Sequence, residues 1–192
     1  MTATPVAGPE LLASPSDLER HTGELAAQIS SDHPTGVTLV GVLKGSVIFL
    51  SDLARRLTVP ARLEFLAVAP YDGAAGRTRV VKDLDGAIAG EHVVLVTGIV
   101  DTGLTVDFLR RHLETGRPAS LRVCALADKR ARRILPVHLD YTAIEAPDAF
   151  LLGYGLDYAG RYRNLVGLWT ADGAALADDP DRYVDVLYAS TN

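Results

Sequence analysis

The stretch that most restricts what this chain can become runs from His92 to Gly116, HVVLVTGIVDTGLTVDFLRRHLETG. Its first nine residues are almost continuously apolar and rich in Val and Ile. A run of that length without alternation reads as a strand buried on both faces. Asp-Thr-Gly then interrupts it, and a helical apolar period follows, closed by Gly116 with Pro118 just beyond. Buried strand, tight turn and amphipathic helix make the unit from which parallel α/β sheets are built.

The rest of the chain repeats the unit. Ser16 is a plausible cap for a helix whose inner stripe is Leu18, Leu25, Ala26 and Ile29. GVTLVGVL (residues 36–43) reads as a buried strand, and KGSVIFLSDLARRL as a helix with Val47, Leu50, Leu53, Ala54 and Leu57 inward. ARLEFLAVA and SLRVCALA read as further strands, HLDYTAIEA and AFLLGYG as shorter ones. Residues 70–79, PYDGAAGRTR, have no apolar period and read as a mobile loop or hairpin tip. The expected division is a loose Pro- and Ala-rich segment over residues 1–14, one domain over 15–175, and a tail over 176–192, acidic and then amphipathic, that reads as a docking helix.

Composition narrows the function classes. At 192 residues and 48% hydrophobic content, one self-sufficient core is expected without disulfide or metal staples. The single cysteine, Cys124, lies in an apolar run and reads as a buried structural thiol. One cysteine builds no internal disulfide framework, which favours a reducing, cytoplasmic setting. The first residues have neither a basic start nor a sustained apolar core, so no secretory signal is read there. No run reaches the roughly 18 apolar residues of a membrane span. A net charge of −5 argues against a general polyanion binder; DKRARR (residues 128–133) is the local basic exception.

In open parallel sheets ligands gather at the carboxyl ends of strands, which is where Asp101, Thr102, Gly103, Leu104 and Thr105 fall. Two readings of this turn stand side by side. Asp and Thr are good helix caps. Alternatively, Gly103 lets backbone N–H groups converge, and with the helix dipole and two threonine hydroxyls they would hold a phosphate. Under the second reading Asp101 repels the anion unless it has a task, such as general base for a nearby substrate.

VVLVTGIVDTGLTV resembles the phosphoribosyl-pyrophosphate motif of type I phosphoribosyltransferases. VGVLKGSVIFLSDLARRL, VKDLD (residues 81–85), LADKRARR and DAFLLGYGLDYAGRYRNL (residues 148–165) resemble, in order, further blocks of the hypoxanthine-guanine phosphoribosyltransferase family. The resemblance covers about residues 36–170. It implies a central, mainly parallel sheet flanked by helices, a small hood and a flexible loop. It implies transfer of a phosphoribosyl group from phosphoribosyl pyrophosphate to hypoxanthine or guanine, with Mg²⁺, through a transition state of oxocarbenium character.

Roles carried over by resemblance are these. Asp101 is the acid/base near the purine N7; Thr102, Gly103, Leu104 and Thr105 cradle the 5′-phosphate. Lys44, Gly45 and Arg163 serve the pyrophosphate, with a cis peptide at Lys44. Lys129 donates to the 6-oxo group, which prefers hypoxanthine or guanine over adenine, whose 6-amino group is itself a donor. Phe150 stacks on the base, while the backbone near Leu151 and Asp157 reads its edge. Asp157 is also the Mg²⁺-associated carboxylate. Tyr71 belongs to the loop that closes over the transition state and excludes water. A homo-oligomer, dimer or tetramer, is expected.

Three positions depart from the pattern. Thr97 and Gly98 stand where the family has Glu-Asp, which bind the ribose hydroxyls and help organise Mg²⁺. Pro70 stands where the loop has Ser. Hydrogen bonds to charged groups contribute about 1.5–3 kcal/mol each, so losing two would cost roughly 3–6 kcal/mol, or about 10²- to 10⁴-fold. Three readings follow: a salvage transferase compensated elsewhere, for instance by Arg77 and Arg79; an enzyme with a different phosphosugar donor or acceptor; or a nucleotide-binding regulator, to which KRARR with Arg110 and Arg111 could lend a nucleic-acid patch. The net charge and the retained Lys129, Phe150, Asp157 and Arg163 weigh against the last.

Overall fold

The structure, a computed structural model, describes residues 8–70 and 78–189. Its elements in chain order are β1 (Glu10–Ala13), α1 (Pro15–Asp32), β2 (Val37–Leu43), α2 (Val47–Arg56), β3 (Ala61–Pro70), β4 (Thr78–Lys82), β5 (His92–Val100), α3 (Leu104–Glu114), β6 (Ser120–Asp128), β7 (Tyr141–Glu145), β8 (Phe150–Leu152), β9 (Leu168–Ala171), α4 (Gly173–Asp178) and α5 (Val184–Ala189).

Six strands form the main sheet in the order β4-β3-β2-β5-β6-β7, parallel except for β4 at the edge. Burial on both faces explains the unbroken apolar strands. Leu39, Val94, Val96, Cys124 and Leu126 meet Leu25, Ile29, Phe49, Leu50 and Leu53 of α1 and α2 on one face. Val40, Leu66, Val93 and Leu95 meet Leu109 and Leu113 of α3 on the other. Burying each such side chain stabilises by about 1.5–3 kcal/mol. Cys124 sits fully inside, and burial pushes its thiol pKa up, as an inert core residue requires.

The second sheet, β1-β9-β8, is antiparallel and forms the hood. Its β1 corrects an expectation: Glu10–Ala13 lies in the stretch that composition marks as loose, yet Glu10 pairs with Thr170 and Leu11 with Trp169. The cap of α1 is Ser14, not Ser16. The Ser14 hydroxyl accepts from the Asp17 amide at 3.2 Å, the Asp17 carboxylate accepts from the Ser14 amide at 3.1 Å, and Pro15 occupies the first helical turn. Val47, read as inward, is 41% exposed, while Phe49 takes the buried place. Toward the end of the chain, Leu176, Tyr183 and Leu187 pack with the fully buried Tyr162, so α4 and α5 complete the hood's own small core. The division expected at residue 176 falls inside α4.

Candidate active site

Strands are added outward in both directions from the β2/β5 pair, which makes the crevice between their carboxyl ends the topological switch point of the sheet. Lys44 and Gly45 follow β2 there, across a cis peptide between Leu43 and Lys44. Asp101 to Gly103 follow β5. The hood closes the crevice into a cleft of about 610 Å³, lined by Ile99, Asp101, Lys129, Arg132, Phe150 and Leu156 among others. A second hollow lies at the amino ends of the strands, but its polar groups already pair with one another: Arg62 with Glu91 at 3.1 Å, and the Thr38 hydroxyl with Glu91.

In the turn after β5 the Thr102 hydroxyl, not Asp101, accepts from the Leu104 amide, at 3.4 Å. The residue capping α3 is Gly103, with φ 88° and no side-chain cap hydrogen bond, so Asp101 is not a cap. A Cβ at Gly103 would collide with the Leu135 carbonyl, and the left-handed φ disfavours other residues as well. The turn is pinned from behind, since the amides of Ile134 and Leu135 both donate to the Thr102 carbonyl at 3.0 Å. The first amides of α3 have no intrahelical partner, and the Leu104 and Thr105 side chains are exposed beside them.

At the other end, Lys129 ends up 6% exposed just past β6, and burial pulls its pKa below the ordinary lysine range. Phe150 is partly exposed and meets Tyr158 edge-on at 5.4 Å. The Leu151 side chain is core, leaving only its backbone for the cleft. Asp157 is engaged on both oxygens, by Arg163 at 2.7 Å and by the Gly160 amide at 2.8 Å. Arg163 also donates to the Gly155 carbonyl at 2.7 Å, and Gly155 lies against the Gly45 carbonyl. Lys44-Gly45, Arg163 and Asp157 therefore converge on one corner. Tyr71 and Arg77 lie outside the described residues; Pro70 is the last residue of β3. Among the described residues no three His, Cys, Asp or Glu side chains gather as metal ligands.

The departures in β5 are packed, not vacant. Thr97 is 8% exposed, its hydroxyl 3.4 Å from the Ile99 carbonyl. A Cβ at Gly98 would lie 2.8 Å from Leu156 Cδ2 and 2.9 Å from the Gly45 carbonyl oxygen.

Sequence reasoning missed Arg132. Its Nε lies 2.8 Å from Asp101 Oδ1 and its Nη1 3.2 Å from Asp148 Oδ1, so one guanidinium ties the β5 turn to the start of the hood. Both carboxylates lie far from it in sequence, and no local spacing signals the pairing. Arg132 covers the buried Asp101 Oδ1, while the Asp101 side chain as a whole is 43% exposed, so Oδ2 is the oxygen open to accept a proton from a bound molecule. The arginines of the basic turn are all paired with acids. Arg130 pairs with Asp128 and Glu145, Arg133 with Asp128, and on α3 Arg110 and Arg111 pair with Glu114 and Asp107.

A mostly parallel sheet with a Gly103-capped strand-to-helix turn at its switch point, covered by a small antiparallel hood, is the architecture of a type I phosphoribosyltransferase. The phosphoribosyl transferase domain family matches residues 11–159. A hypoxanthine phosphoribosyltransferase of Haemophilus influenzae is 39% identical over 165 residues, 81% of this chain and 91% of its own. A hypoxanthine-guanine phosphoribosyltransferase of Mycobacterium avium is 40% identical over 166 residues, 85% of this chain and 82% of its own. Among solved structures, a hypoxanthine phosphoribosyl transferase of Trypanosoma cruzi superposes with a TM-score of 0.84 at 34% identity, covering 94% of this chain and 99% of that one. The chain belongs to the hypoxanthine-guanine phosphoribosyltransferase family.

Proposed function

We propose that this protein is a transferase that moves a 5-phosphoribosyl group from phosphoribosyl pyrophosphate to hypoxanthine or guanine and releases pyrophosphate. The observation that carries the reading is the cleft, with the buried Lys129 beside the partly exposed Phe150 ring and the part-exposed Asp101 side chain at the end where the Gly103 turn opens α3. A purine ring nitrogen attacks C1 of the sugar and the bond from C1 to the pyrophosphate oxygen breaks. The proton shed by the imidazole ring passes to Asp101. Lys129 donates to the 6-oxo group and Phe150 covers the ring. The Thr102–Thr105 turn holds the 5′-phosphate through backbone amides and the Thr102 and Thr105 hydroxyls. Lys44, the Gly45 backbone and Arg163 face the departing pyrophosphate, and Tyr71 contributes to closure.

Asp157 is the carboxylate that would hold a Mg²⁺ carried by the pyrophosphate, on exchanging its contact with Arg163 or the Gly160 amide for the ion, because Mg²⁺ is commonly held by one or two carboxylates plus substrate phosphates. When bound, it neutralises charge on the leaving group. A homo-oligomer, dimer or tetramer, is the assembly this reading carries, measurable by light scattering.

The test is pyrophosphate release from phosphoribosyl pyrophosphate with Mg²⁺ and hypoxanthine or guanine. Turnover by the native chain, lost by about 10²-fold or more in Asp101→Asn while inosine 5′-monophosphate still binds, supports the assignment. Absence of turnover with either base sinks it.

A further inference from the structure

A nucleotide with its phosphate on the Thr102–Thr105 cradle and its base against Phe150 must lay its sugar ring across the middle of the cleft. The strand wall of that middle, beyond Asp101, is apolar. Ile99 and Leu156 line it, and Gly98 lies buried beneath with its would-be Cβ position taken by Leu156 Cδ2 and the Gly45 carbonyl. The Thr97 hydroxyl is also buried, turned toward the Ile99 carbonyl. Among the described residues the carboxylates that line the cleft are Asp101, Asp148, Asp157 and Asp172. Asp157 is held on both oxygens, by Arg163 and the Gly160 amide, while Asp101 and Asp148 are held through Oδ1 by Arg132 and Asp172 through Oδ1 by the amides of Ala174 and Ala175.

A site built to hydrogen-bond a substrate hydroxyl rejects an analogue that lacks it by on the order of 10⁴-fold, because the site's own polar groups are then stranded. The Ile99 and Leu156 side chains, standing over Gly98, have nothing to strand. We propose that this cleft binds the sugar without reading its ring hydroxyls, so that it takes 5-phospho-2-deoxyribosyl and 5-phosphoribosyl frameworks alike. The proposal rests on the transferase reading above and widens its substrate class from phosphoribosyl to 5-phosphopentosyl compounds. Where a hydroxyl is present, water in the open cleft satisfies it as well as it did in solution.

The experiment is calorimetric titration of the whole native chain with inosine 5′-monophosphate and with 2′-deoxyinosine 5′-monophosphate, which differ by one hydroxyl. The expected result is that both bind, the deoxynucleotide no more than about tenfold more weakly. Binding of the ribonucleotide with the deoxynucleotide weaker by about 10²-fold or more overturns this proposal and leaves the transferase reading standing. Binding of neither overturns the transferase reading and takes this proposal with it.

Discussion

The Nε atom of Arg132 lies 2.8 Å from Asp101 Oδ1, while the same guanidinium reaches Asp148 at 3.2 Å. One side chain thereby joins the turn after β5 to the chain entering the hood. An exposed pair of this kind contributes little to stability, a median of about 0–1 kcal/mol. Its value lies in where it holds Asp101.

Arg132→Gln is therefore expected to lower kcat for pyrophosphate release by about tenfold or more, with a smaller effect on the KM for the base, because general-base catalysis depends on placing the acceptor within hydrogen-bond reach. Arg132→Lys should recover only part of the loss, since a single ammonium cannot span two carboxylates as a planar fork does. The melting temperature should barely move in either variant. An unchanged kcat would reduce Arg132 to a surface ion pair.

Lys129 yields a prediction with two opposite signs. Burial lowers its pKa below the ordinary lysine value of about 10.4. As pH rises through the lowered value, the ammonium loses its proton, so if Lys129 donates to the 6-oxo group as proposed, base affinity should fall earlier than an ordinary lysine would dictate. Stability moves the other way. Between the lowered value and about 10.4 the unfolded chain binds more protons than the folded one, so this group's contribution to stability rises with pH in that window. Lys129→Met should weaken hypoxanthine binding by roughly 10- to 100-fold near neutral pH, the range expected for a charged hydrogen bond, and should abolish the alkaline fall. A fall that persists in Lys129→Met would assign it to another group.

Restoring an aspartate at position 98 is a test of packing before it is a test of chemistry. The new Cβ would meet Leu156 Cδ2 at 2.8 Å and the Gly45 carbonyl oxygen at 2.9 Å. Gly98→Asp should cost about 1–3 kcal/mol, the usual range for overpacking. Leu156 can be shortened, whereas the Gly45 backbone cannot. The penalty of Gly98→Asp should therefore be smaller by about 1 kcal/mol in a Leu156→Ala background, a coupling that a double-mutant cycle of denaturant unfolding would read. Strict additivity would mean that Leu156 is not what occupies the space.

The two halves of the fold differ in how openly the sequence announces them. β2, β5 and β6 are apolar runs followed by amphipathic helices or turns, and each registers on its own because both of its faces are buried. β1 and β9 are four residues each and gain their partners from opposite ends of the chain, Glu10 against Thr170, so neither has a local period to read. The site divides the same way. Asp101 to Thr105 follow one another along the turn, and their spacing is visible. The Asp101–Arg132–Asp148 contact and the packing of Leu156 over Gly98 arise only when the hood folds across the sheet. The SPSD stretch shows where a local reading fails: the sequence points to Ser16 as the cap of α1, and reciprocal bonding with Asp17 selects Ser14.

His33, at the end of α1, couples the far side of the sheet to acid. It is 3% exposed, its Nε2 atom has no hydrogen-bond partner, and its ring lies 5.3 Å from that of His92 on β5. Burial lowers its pKa first. Arg122 of β6 and His92 lower it further, against smaller opposite pulls from Asp32 of α1 and from Asp140 before β7. The group is neutral in both states well above the unfolded value of about 6.5, so it costs nothing there. As pH falls below about 6.5 the unfolded chain takes up the proton more readily than the folded one, and stability erodes until the lowered folded value is passed. His33→Phe removes this titration while leaving every carboxylate in place. The melting temperature of the native chain should therefore drop more steeply than that of the variant between pH 7.5 and pH 5, and the two curves should run parallel at higher pH. Curves that stay parallel through the acid range would show that the His33 ring reaches water or a partner when it is charged.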